Sequence, residues 1–124
     1  MKFFRFDEKV AKPITQYEST FSMSPLLLTE EGAHVGCMHI PQGGMVGEHQ
    51  AACDQLFAVM EGEGWVYGED GVTYPIQKGT AAFWVTGESH ASGSEKGMTV
   101  MVIESGTLKP EDRMQEVTLQ PQDI

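Results

Sequence analysis

Short apolar runs alternate with glycines along most of the chain. There are 14 glycines, from Gly32 to Gly106, and the runs between them are rich in Val, Phe, Tyr, Trp, Ile and Met. Few-residue runs closed by tight turns predict β-strands and an all-β sandwich or barrel. The pattern predicts strands over Leu26–Thr29, Ala33–Ile40, Leu56–Glu61, Gly64–Tyr67, Val72–Ile76, Ala81–Val85 and Thr99–Ile103. Asp70-Gly71 supplies the positive-φ pair of a hairpin turn across Tyr67–Val72. Gly79, after Lys78, reads as a second tight corner. Only one stretch favours a helix: Pro110, followed by Glu111 and Asp112, predicts a short C-terminal one. The first twenty residues, interrupted by Pro13, read as an irregular arm or an edge strand.

A chain of 124 residues suits one domain and can bury a core without disulfide staples. We expect an N-terminal arm over residues 1–25, a barrel over 26–106 and a tail over 107–124. Acidic residues outnumber basic ones, 18 to 8, for a net charge of −10. With no basic stripe, nucleic acid is not expected as a partner, and neither is an anionic membrane surface. No run reaches the ~20 apolar residues of a membrane helix. The charged start MKFFRFDEKV does not read as a signal peptide, so the expected location is the cytoplasm, with Cys37 and Cys53 reduced.

Two clusters carry the candidate chemistry. The first runs Gly43, five residues, His49, one residue, Ala51, three residues, Gln55, six residues, Gly62. The second runs Gly79, five residues, Val85, Thr86, Gly87, two residues, His90, three residues, Ser94. In order and spacing this double pattern resembles the cupin family, over roughly Ala33 to Ser105. The resemblance implies a double-stranded β-helix, the jelly-roll barrel, and a homodimer. In that family two histidines and a glutamate of the first motif join a histidine of the second around a divalent metal. Those positions are His49, Ala51, Gln55 and His90 here: alanine stands in for one histidine and glutamine for the glutamate. Val85 and Ser94 replace the motif's proline and asparagine.

The resemblance thus leaves His49, Gln55 and His90 as an altered metal set for Zn, Ni, Mn or Fe. A lost carboxylate beside a dication weakens such a site. Three residues are open as replacement ligands: Cys53, His34 and His39. Strand alternation puts His34 and His39 on opposite faces, and His39, next to the turn at Pro41, is the better placed. His49 and His90 are also the candidate catalytic residues, because imidazole transfers protons near neutral pH. Phe57 and Val59 share the strand face of Gln55, and Met45 and Trp84 are expected near the same mouth, so the pocket there is mostly apolar. Two functions fit: a pocket for a small organic ligand with acid–base or metal-assisted chemistry, or a metal-free module that binds or senses a small molecule. Exposed strand edges and the aromatic arm of Phe3, Phe4 and Phe6 are consistent with a homodimer.

Overall fold

The computed structural model describes residues 1–122. Its strands are β1 (Lys2–Arg5), β2 (Lys12–Ile14), β3 (Phe21–Met23), β4 (His34–Ile40), β5 (Met45–Gln50) and β6 (Asp54–Tyr67). They continue as β7 (Thr73–Gln77), β8 (Thr80–Trp84), β9 (Ser89–Gly93), β10 (Met98–Ser105) and β11 (Gln115–Val117). All pairings are antiparallel. The large sheet runs β11-β1-β8-β6-β10-β4, and β5, β9, the far half of β6 and β7 form the second. The fold is a jelly-roll barrel.

The long strand β6 belongs to both sheets. Gln55–Ala58 pairs with β8, and Glu63–Tyr67 pairs with β7. Between them the register with β10 slips, so that Val59 faces Val100 while Glu61 faces Thr99. Gly62 makes the bend: its φ is +84°, and a Cβ there would run into the Gly97 carbonyl. The sequence reading of two strands, split by a glycine turn, is corrected to one strand with a bulge.

Apolar side chains fill both faces of the large sheet. Phe57, Val59, Ala82, Trp84, Val100 and Val102 belong to the buried cluster between the sheets. Leu56, Ala58, Ala81 and Phe83 point the other way and are covered by Leu108 and Met114. Leu26 and Leu27 pack against that back face. The predicted strand Leu26–Thr29 is therefore not a strand but an irregular cover. Burial in either cluster stabilises the fold by roughly 1.5–3 kcal/mol per large apolar side chain.

The N-terminal segment is built into the sheet. β1 lies between β8 and β11, with Phe4 opposite Ala81 on one side and Glu116 on the other. Phe3 and Phe4 are buried in their own chain, so they are not free to cross to a partner. The expected C-terminal helix is a single 3-10 turn, Pro110–Asp112, before β11.

Candidate functional site

At one rim of the barrel, β5 and β9 set His49 directly opposite His90. The ring centroids are 4.5 Å apart. On its other side His90 stacks on Trp84, at 4.3 Å and 25°. Phe57 meets the same indole edge-on at 5.4 Å. His90 is 3% exposed and Trp84 fully buried, whereas His49 is exposed. The Trp84 Nε1–H has no partner among the described residues.

Both imidazoles are held by backbone in the same manner. His49 Nδ1 bonds to the Gly47 carbonyl at 2.7 Å, and His90 Nδ1 to the Glu88 carbonyl at 3.0 Å. A carbonyl only accepts, so each Nδ1 carries a proton and donates it. In the neutral ring Nε2 is then left as an acceptor. Burial lowers the His90 pKa, and the neighbouring His49 adds to that; the Glu88 carbonyl and the charges of Glu88 and Glu104 pull the other way. His90 is therefore neutral at pH 7.

Glu88 fixes the turn that leads into β9 and His90. Its buried carboxylate accepts from the Met1 amino group at 3.0 Å, the Val85 N–H at 3.2 Å and the Glu69 N–H at 3.3 Å. Its backbone carbonyl also accepts the Ala51 N–H at 3.0 Å, while the Gly87 N–H donates to Ala51 at 2.8 Å. Ala51 contributes no donor side chain, yet its backbone ties the end of β5 to the His90 loop.

The remaining candidates are distributed unevenly. Gln55 lies in the same cross-strand row as Trp84, opposite Glu104 on its other side. Its Nε2 donates to Glu104 Oε1 at 2.7 Å. Phe57 and Val59 are buried beneath that row, as parts of the core. Met45 is paired with Gly93 at the far end of β5 from His49 and is 64% exposed, so it does not join the histidines. His34, not His39, is on the inner face: it lies beside Glu104, and its strand-mates Met38 and Ile40 reach the core. His39 is on the opposite face, near Cys37 at 3.8 Å. Burial and the charges of Glu104 and Asp54 raise the Cys53 pKa, which keeps it a thiol and works against a metal-binding thiolate. Among the described residues, no three His, Cys, Asp or Glu side chains are gathered closely enough to hold a metal ion.

Sequence reasoning missed Glu88 and Glu104. Glu88 had a signal in its place between the motif's Gly87 and His90. Glu104 had none, since the strand leading to it is apolar on both faces. A cleft of about 340 Å³, lined by Glu30, Glu31, Lys109 and Arg113 among others, lies elsewhere and does not include either site histidine.

Several solved structures share this architecture. The DMSP lyase DddQ from Ruegeria pomeroyi matches with a TM-score of 0.56 at 19% identity, over 60% of this chain and 38% of that one. An RmlC-like cupin from Shewanella frigidimarina matches with a TM-score of 0.57 at 20% identity, over 60% of this chain and 67% of that one. The chain has the cupin fold. A cupin 2 conserved barrel domain protein from Leptotrichia buccalis agrees, with a TM-score of 0.55 at 25% identity, over 64% of this chain and 38% of that one. The alignment thus spans well under half of the lyase, and the cupin fold alone assigns no reaction. No family model matches the sequence, and no curated protein does.

Proposed function

We propose that the mouth of this cupin barrel binds a small organic molecule through His49 and His90. The pairing of the two imidazoles carries this reading, with both Nδ1 atoms committed to carbonyls. Two imidazole rings then stand side by side over an aromatic wall, each with its Nε2 left free by the Nδ1 bond. A bound compound with an acidic proton would meet a base there. The alternative, binding or sensing without catalysis, uses the same contacts.

Nitrogen NMR of the histidine side chains during a small-molecule screen tests it. Binders are expected to shift the Nε2 signals of both residues and to lose affinity in His49→Ala. A binder whose affinity is unchanged in His49→Ala and His90→Gln would overturn it.

A divalent metal is the second reading, favoured by the two Nε2 atoms that the Nδ1–carbonyl bonds leave free. Zn, Ni, Mn or Fe would have His49, His90 and Gln55 as protein donors. That set is two neutral nitrogens and one neutral oxygen, without a third His, Cys, Asp or Glu donor near enough among the described residues. The residues fit a resident ion poorly, and no step is assigned to one. Zn(II) or Ni(II) added to metal-stripped protein is expected to raise Tm by less than about 2 °C.

We also propose a homodimer, supported by the edge of β4, which pairs only with β10 among the described residues and exposes Val35. Sedimentation at micromolar concentration tests this, and a monomer would count against it.

A further inference from the structure

The rim has a second half, in which Gln55 belongs to the first motif while Glu104 and His34 lie outside both. Trp84, Gln55, Glu104 and His34 form one row across four neighbouring strands, each opposite the next. Strand alternation turns the whole row toward the barrel interior: Gln55 precedes Phe57, Glu104 follows Val102, and His34 precedes Met38 and Ile40. Gln55 donates to Glu104 at 2.7 Å, and His34 Nδ1 lies 3.8 Å from the other Glu104 oxygen. At the opposite end of the row Trp84 carries the stacked His90 and His49.

The spacing of this row decides what it could hold. Glu104 is two strands from Trp84, or ~10 Å between backbones. One ion cannot be coordinated from both ends, but a small organic molecule can reach across. The chemistry is polarised as well. The two Nε2 atoms accept, the carboxylate accepts, and Gln55 has turned its amide nitrogen to Glu104. The rim therefore offers hydrogen-bond acceptors at both ends and a negative charge at one.

We propose that Glu104 determines the specificity of the mouth, with Gln55 as its positioning residue, and that the ligand is a small molecule with an amine at one end and a hydroxyl or other donor at the other. This rests on the mouth being a binding site through His49 and His90. A carboxylate at the Glu104 end would meet like charge in a chain of net charge −10.

Two probes of equal length and opposite charge test this: 4-amino-1-butanol and 4-hydroxybutyrate, titrated against the full chain and followed by NMR. The amino alcohol is expected to shift the Nε2 signals of His49 and His90 and the side-chain amide of Gln55. The hydroxy acid should bind at least tenfold more weakly. Glu104→Gln should weaken the amino alcohol at least tenfold and erase the preference. Glu104→Asp keeps the charge but withdraws it by one methylene, so an intermediate loss is expected; it serves as the test if Glu104→Gln does not fold. Gln55→Met should weaken the amino alcohol several-fold and spare the hydroxy acid, whereas a general structural defect would weaken both. Equal binding of the two probes, or an amino alcohol indifferent to Glu104, overturns the proposal. If neither probe moves the histidine signals while other compounds do, this proposal fails and the binding reading stands. If no compound moves them, the binding reading itself fails.

Discussion

His90 and His34 sit on one rim, at opposite ends of one row of side chains, in unlike surroundings. His90 is packed between Trp84 and His49, its Nδ1 bonded to backbone, with a loop anchored by Glu88 beneath it. The His34 side chain is 89% exposed and lies 3.8 Å from Glu104. One half of the rim is fastened by backbone and stacking. The other is an arrangement of longer side chains, Gln55 and Glu104, near solvent. Mutations should therefore act on stability in the first half and on selectivity in the second.

The strongest way to break this contrast is to truncate both histidines. His90→Ala leaves a void against Trp84 and removes one of the two donors to the Glu88 carbonyl, so a loss of about 2–3 kcal/mol is expected in urea unfolding. His34→Ala should cost less than ~0.5 kcal/mol. Equal losses would remove the distinction between the halves.

Acid sharpens it next. The folded pKa of His90 is lowered, mainly by burial, so the unfolded chain takes up the proton first as pH falls. The stability from its neutral form is whole above the ordinary histidine pKa, near ~6.5, and is lost below it as pH falls through the lowered value. One such proton gives a slope of up to ~1.4 kcal/mol per pH unit. Wild type measured against His90→Gln from pH 7.5 to 5 should show that slope only in wild type. Parallel curves would mean that His90 does not titrate with folding. The smallest effect is expected from Glu104→Gln without ligand: the His34 pair is exposed and a glutamine oxygen still accepts from Gln55, so unfolding free energy should change by less than ~0.5 kcal/mol.

The legibility of the sequence follows the same division. Glycine spacing and the two motifs located the barrel and set His49 against His90, because motif spacing reflects turns and register. β5 and β9, which carry those histidines, were not predicted as strands: apart from Met45 and Val46 their residues, MVGEHQ and SHASG, are polar or small. Gly62 read as a turn because a bulge and a turn both need positive φ. Alternation separated His34 from His39 but not their faces; Met38 and Ile40, which reach the core, decide that. Glu104 was hidden by its strand, where Val100 and Val102 serve one core cluster while Met101 and Ile103 pack on the other. A strand with two buried faces has no readable inside.

The placement of β1 has a consequence for how the molecule assembles. Its neighbours, β8 and β11, come from the far two-thirds of the chain, with Phe4 facing both Ala81 and Glu116. Contacts so remote in sequence slow folding. Until β1 docks, the edge of β8 lies open to other chains. A newly made molecule is thus most prone to aggregate just before its first strand finds its slot.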